Sequence, residues 1–300
     1  MNTHRSQEKS TVELSTLIAG FWRLASWKQS PQETLRFIER CVELGITTMD
    51  HAMVYRSEAP FGNALALKPE LRDKIEIVTK FGIRPSGFGN LGARKVNHYD
   101  SSSAALVESV ENSLQDLGTD HLDALLIHRP DYLMDCDEIA NAFSTLKSEG
   151  KVKAFGVSNF TIHQFDALQH AVSFPLITNQ VEFSPYEKEN LDSGVFEQCA
   201  RYAIRPMLWS CLGGGSILNP TDDKGQRILA ALKEVAANIG AETIEQVVYA
   251  WILALPCNPH PLLGTSRIER VEQAAAALHL SMNREQWYQI WEASHGTPVP

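Results

Sequence analysis

The sequence predicts a single closed (β/α)8 barrel. Eight short apolar runs recur down 300 residues, each followed by an amphipathic helical stretch, and no linker or compositional break divides the chain. Strict alternation of strand and helix demands parallel strands joined by helical crossovers, and eight such units can close into a ring.

The runs, in order, are LIAGF (17–21), ITTMD (46–50), IEIVT (75–79), LDALLIH (122–128), VKAFGVS (152–158), TNQVEF (178–183), RPMLWS (205–210) and PLLG (261–264). Their shortness suits buried strands rather than helices. The intervening segments TLRFIERCVEL, ALVESVENSLQDL and ILAALKEVAANI place apolar residues three and four apart. Ser30-Pro31 and Ser103 read as helix starts, and Gly45, Gly118 and Gly150 stand near helix ends. Residues 82–99 have little apolar periodicity and several glycines, which predicts a long loop over one barrel end. Residues 1–14 read as a flexible tail. An open doubly wound sheet is the alternative, but neither GFGNLG (87–92) nor LGGG (212–215) has GxGxxG spacing after a first strand.

A net charge of -9 and a pI near 5.6 argue against nucleic acid or an anionic membrane as the main partner. A local basic pocket for a phosphate remains compatible, so the expected partner is a small molecule, with the protein a monomer or weak homo-oligomer. Five scattered cysteines without CxxC spacing suggest neither a disulfide framework nor a zinc site, and a reduced cytoplasmic setting is expected. No stretch approaches ~20 continuous apolar residues, so neither signal peptide nor membrane span is expected.

In a closed barrel, function is built at the C-terminal mouth, where all strand ends converge. Asp50 ends the second strand, Lys80 follows the third, His128 ends the fourth, Ser158 and Asn159 end the fifth, and Gln180 and Glu182 lie at the sixth. One such residue is unremarkable as a cap or packing group, but five strands converging with ionisable or amide groups outline a site. Tyr55 lies five residues beyond Asp50, close enough to fold back over the mouth. A free phenol, with a pKa of about 10, is a poor proton donor near neutrality. A neighbouring ammonium favours the phenolate, so Lys80, with Asp50 as counter-charge, is expected to lower the pKa of Tyr55. His128 is placed to hold a carbonyl oxygen beside the phenol. By strand alternation His51 points away from Asp50, which predicts a structural role. A metal-dependent hydrolase using Asp50, His51 and His128 is the rival from another enzyme class.

The segments DHAMVY, VTKFG, LLIHRPD, GVSNF, TNQVEFSP, MLWSCLGGG and LGTSRIERVEQ follow one another as in the aldo-keto reductase superfamily, which the chain resembles from about Ala19 to Leu280. HRPD, SCLGGG and IEQVVYAW are most similar to the bacterial YdhF-like oxidoreductases. The resemblance implies a (β/α)8 barrel that binds NADP(H) at its mouth without a Rossmann motif or a metal. It implies Tyr55 as general acid/base, Asp50 and Lys80 as its tuning pair, and His128 as the carbonyl-orienting residue. It further implies Ser158, Asn159 and Gln180 on the nicotinamide carboxamide, Trp209 stacked on that ring, and Ser210, Leu212 and Gly214 around the pyrophosphate. Thr265, Ser266 and Arg270 would meet the 2′-phosphate. Two departures stand out: Gly264 occupies a frequent lysine position and Ala274 a frequent adenine-reading asparagine, with Arg267 as a compensating cation.

The expected activity is therefore NADPH-dependent reduction of an aldehyde or ketone. A nicotinamide-nucleotide-binding regulatory or redox-sensing barrel is the alternative. Trp22, Trp27, Tyr132, the 87–100 loop and the terminal SHGTPVP are expected to shape the substrate pocket.

Overall fold

The computed structural model describes residues 12–86 and 95–300. Its strands are Ile18–Gly20 (β1), Thr48–Asp50 (β2), Glu76–Phe81 (β3), Ile83–Arg84 (β4), His98–Tyr99 (β5), Leu122–Ile127 (β6), Val152–Ser158 (β7), Asn179–Glu182 (β8), Met207–Trp209 (β9) and His260–Leu263 (β10). Eight of them close into a barrel in the order β1-β10-β9-β8-β7-β6-β3-β2, every neighbouring pair parallel. These are the eight apolar runs of the sequence.

The helices are Leu24–Trp27 (α1), Pro31–Glu43 (α2), Glu58–Leu65 (α3), Ser103–Leu117 (α4), Cys136–Ser148 (α5), Ile162–Ala171 (α6), Val195–Tyr202 (α7), Asp223–Ile239 (α8), Ile244–Leu253 (α9), Ile268–Ala276 (α10) and Arg284–His295 (α11). Local chemistry explains their ends. Ser30 closes a capping box with Glu33 ahead of Pro31, and Gly118 ends α4 in the left-handed conformation. The cap of α4 is Ser102 rather than Ser103, one residue earlier than the sequence suggests. Gly62 lets α3 approach α4 closely, since a Cβ there would lie 2.2 Å from the Asp116 carbonyl oxygen.

Side chains alternate between two cores, as the period of a strand requires. Ile18, Val78, Ala124, Leu126, Ala154, Met207 and Leu262 fill the barrel interior, while the larger set, including Phe61, Phe143, Phe155, Phe183 and Trp251, packs between strands and helices. Leu14, assigned by the sequence to the tail, is buried in the inner core; residues 1–11 lie outside the described residues. The expected loop over 82–99 begins and ends in a two-stranded antiparallel pair, β4 with β5, because Ile83 and Arg84 meet Tyr99 and His98 in register; positions 87–94 lie outside the described residues. Among the described residues no helix is long and apolar enough to cross a membrane.

Candidate active site

Counting two residues along a strand from an inner-core side chain gives the next inward position. From Val78, Leu126 and Met207 that rule reaches Lys80, His128 and Trp209 at the C-terminal mouth. Asp50 ends β2 beside Val78 in register, and Ser158 and Gln180 pair between β7 and β8. The strand-end residues of the sequence therefore share one end of one barrel.

Their bonds form a buried array. The Lys80 ammonium donates to both carboxylate oxygens of Asp50 and to the His51 carbonyl, each at 2.7 Å, so all three protons are placed. Lys80 and Asp50 are 1% and 3% exposed, and such a buried pair persists only when its remaining hydrogen-bonding capacity is also met. Gln180 adds to it, its Nε2 donating to Asp50 Oδ1 at 2.8 Å. The side-chain amide of Gln180 is thus tied into the ion pair, while its Oε1 makes no hydrogen bond among the described residues.

Tyr55 reaches the array from a short 3-10 turn, Met53–Tyr55, in the loop after β2. Its ring centroid lies 5.1 Å from the Lys80 nitrogen, and its phenol oxygen is 3.3 Å from Nε2 of His128, the two rings meeting edge to face. Burial, with the charges of Lys80 and Arg129, pushes His128 down to about 2, so the imidazole is neutral throughout the physiological range. The expected lowering of the Tyr55 pKa is not found: burial raises it, Lys80 pulls it down only in part, and Asp50 works against Lys80. Burial dominates, and the Lys80 ammonium, whose charge is shared with Asp50, offsets it only in part.

His51 lies on the opposite face of β2 from Asp50. Its ring stacks on Phe21 with centroids 4.9 Å apart, and burial followed by the Lys80 charge pushes it down to about 3. Asp50, His51 and His128 do not converge, and the described residues contain no group of three or more His, Cys, Asp or Glu side chains placed to hold a metal.

Around this centre, Ser158 Oγ donates to the Gln180 carbonyl and accepts from Asn159 Nδ2. Asn159 adopts a left-handed backbone and its Oδ1 accepts from the Trp209 indole at 3.2 Å. Ser210 is likewise left-handed and leads through half-buried Leu212 into Gly213–Gly215, where Gly214, at φ 65°, has open space beside it. Thr265 Oγ1 accepts from the Arg267 backbone just ahead of α10, next to half-buried Ser266. Arg270 pairs with Glu245 at 3.2 Å, and the exposed Arg267 lies 3.7 Å from Glu269. Ala274 is fully buried and offers nothing to a ligand.

Three placements were not legible beforehand. Arg23, from the loop after β1, donates to the Gly264 carbonyl at 3.0 Å, a contact that needs the ring to close β1 against β10. Arg129 holds its guanidinium 5.9 Å from the Trp209 ring centroid and makes no hydrogen bond or ion pair among the described residues. Trp27 packs on Phe21 and on Phe37 of α2; Trp22, 62% exposed and 6.4 Å from the Tyr55 ring, remains at the mouth. Tyr132 lies on the loop after β6 and is almost fully exposed.

Known proteins resemble this chain along nearly its whole length. Residues 16–295 match the model of the Aldo/keto reductase family. The chain is 48% identical to oxidoreductase YdhF of Escherichia coli over 96% of both chains, and 41% identical to a 6-dehydroglucose reductase of Agrobacterium fabrum over 96% of this chain and 97% of that one. The solved structure of the glycerol dehydrogenase AKR11B4 from Gluconobacter oxydans shares the fold, with a TM-score of 0.82 at 22% identity over 97% of this chain and 95% of that one. Barrel, mouth and relatives converge on one conclusion: the chain belongs to the aldo/keto reductase family of oxidoreductases.

Proposed function

We propose that the protein is an NADP(H)-dependent reductase of aldehydes or ketones in which Tyr55 delivers the proton. The observation that carries this is the meeting of the Tyr55 phenol and the neutral His128 imidazole above the Asp50–Lys80 pair. NADPH, when bound, supplies the hydride. A carbonyl oxygen seated between the phenol and the imidazole accepts hydrogen bonds from both, and the phenol proton moves to it as negative charge develops. The phenolate left behind lies beside an ammonium, so Lys80 stabilises the product of that transfer even though burial keeps the resting phenol protonated.

The residues present suit a nicotinamide nucleotide. Ser158, Asn159 and the free Oε1 of Gln180 offer hydroxyl and amide groups for a carboxamide, with Trp209 beside them as a stacking surface. Ser210, Leu212 and the open backbone at Gly214 suit a pyrophosphate. Thr265, Ser266 and Arg270 at the N-terminus of α10 suit a 2′-phosphate, where backbone N–H groups and a guanidinium favour an anion.

Arg129 and Glu182 narrow the substrate. Both are half-buried at the mouth and have side chains without a hydrogen-bond partner among the described residues; burial raises the Glu182 carboxyl. A donor and an acceptor flanking the reaction centre favour a carbonyl compound that carries hydroxyl groups, in keeping with the substrate named for the Agrobacterium relative.

Tyr55→Phe tests the reading. Turnover of a carbonyl panel, followed by NADPH absorbance, should nearly vanish while NADPH binding, followed by fluorescence titration, is retained. Undiminished reduction by the variant would remove Tyr55 as donor.

A further inference from the structure

His51 is buried and takes no part in the chemistry proposed above, yet the Tyr55 loop is fastened to it twice. Its carbonyl accepts from the Lys80 ammonium at 2.7 Å, and its Nδ1 lies 2.9 Å from Ser57 Oγ. Tyr55 sits between these two attachments. Inside them the chain makes the 3-10 turn Met53–Tyr55 and then passes through Arg56 in the left-handed conformation, at φ 56°, which disfavours a side chain. A segment bent in this way needs its ends held.

Two features indicate that the His51–Ser57 bond is there for the loop rather than for packing. Ser57 occupies the N-cap of α3, where a serine hydroxyl ordinarily accepts from the helix's own backbone, but it makes no capping bond. Its hydroxyl is directed to His51 instead. On the other side of the ring, His51 Nε2 is buried without a hydrogen-bond partner among the described residues, against Phe61 at 4.5 Å between centroids. An apolar ring would fill the same space between Phe21 and Phe61 without burying an orphan nitrogen. What distinguishes histidine here is Nδ1.

We infer that His51 is a positioning residue for Tyr55: through Ser57 it closes the loop of residues 51–57 over Lys80 and so sets where the phenol stands relative to His128. The inference rests on Tyr55 being the proton donor. Because geometry at a reacting group controls rate steeply, loosening the loop lowers kcat more than it lowers ligand affinity.

Three variants test it. His51→Phe keeps the ring between Phe21 and Phe61 and removes Nδ1; Ser57→Ala removes the partner; His51→Asn keeps a hydrogen-bonding atom near the Nδ1 position and loses the ring. With DL-glyceraldehyde and 4-nitrobenzaldehyde as probes, His51→Phe and Ser57→Ala should each lose roughly ten- to a hundredfold in kcat. KM and NADPH affinity by fluorescence should change little, and melting should stay cooperative. His51→Asn should recover much of the rate while melting at a lower temperature. Wild-type kcat in Ser57→Ala and His51→Phe, with Tyr55→Phe inactive, would overturn the inference and leave His51 as packing. Should His51→Phe fail to fold, Ser57→Ala decides alone. Retained turnover in Tyr55→Phe removes the donor reading itself, and this inference with it.

Discussion

The phenol oxygen of Tyr55 and Nε2 of His128 stand 3.3 Å apart, joined across 73 residues of chain. That is long for a bond between a hydroxyl and an imidazole nitrogen, so little is lost when a substrate oxygen takes both groups as its own hydrogen-bond donors. His128→Gln should lower kcat about a hundredfold, within the range for loss of a positioned acid–base partner, with NADPH affinity unchanged. Since the His128 imidazole is pushed down to about 2, the kcat profile between pH 5 and 8 should carry no break of its own. The variant and the parent should give profiles of the same shape, which steady-state kinetics across that range would check.

The Asp50–Lys80 pair makes a separate prediction about stability. Lys80→Met leaves a buried carboxylate without its counter-charge and should cost about 3–5 kcal/mol in denaturant unfolding. Removing both charges in Asp50→Leu/Lys80→Met should return a large part of that loss, because two apolar side chains need no partner. Neither variant should reduce carbonyl substrates. Equal destabilisation by the single and double changes would contradict the ion-pair account.

How much of this site is legible in the sequence depends on whether a residue is placed by period or by path. Asp50, Lys80 and His128 can be read because strand alternation puts them at one mouth once the apolar runs are recognised. The same alternation puts His51 on the opposite face. Tyr55 can be read from charge logic, but its acidity cannot, since that turns on how deeply the loop buries the phenol. Arg23 and Trp27 follow each other within five residues and diverge completely, one to Gly264 and one to Phe37. Only the turn of α1 decides which goes where. The Ser57 hydroxyl looks like a helix cap in sequence, and nothing local reveals that His51 takes it.

Acid should destabilise the protein through its buried imidazoles. His51, His128 and His260 are pushed down to about 3, 2 and 4, in each case mainly by burial. A folded-state pKa below the unfolded value means that the unfolded chain binds more protons, so stability falls as pH drops below about 6.5. Each histidine contributes a slope of up to ~1.4 kcal/mol per pH unit until its folded value is approached. Glu58, whose carboxyl is raised by burial, works in the opposite direction and blunts the lower end. Melting temperatures between pH 7 and 4.5 should therefore fall, and less steeply in His51→Phe, which has one fewer imidazole to protonate.

Arg270 offers a test of cofactor choice. Arg270→Ala should weaken NADPH by about tenfold or more, the loss of a charge-assisted contact, and NADH far less. Arg267→Ala should do less, since that side chain is the more exposed of the two. Equal loss of both cofactors in Arg270→Ala, measured by fluorescence titration, would place the 2′-phosphate elsewhere.

The pairing of β1 with β10 joins residues 244 positions apart, and Arg23 stitches it to the Gly264 carbonyl across 241. A contact across so long a stretch of chain bears a large loop-closure entropy and forms slowly. During synthesis, the first seven barrel strands are already outside the ribosome while the mouth is still open on one side. Activity is therefore an all-or-none property of the finished polypeptide: fragments ending before His260 should be inert and exposed along two unpaired strand edges, and regain of turnover on refolding should trail regain of helix signal.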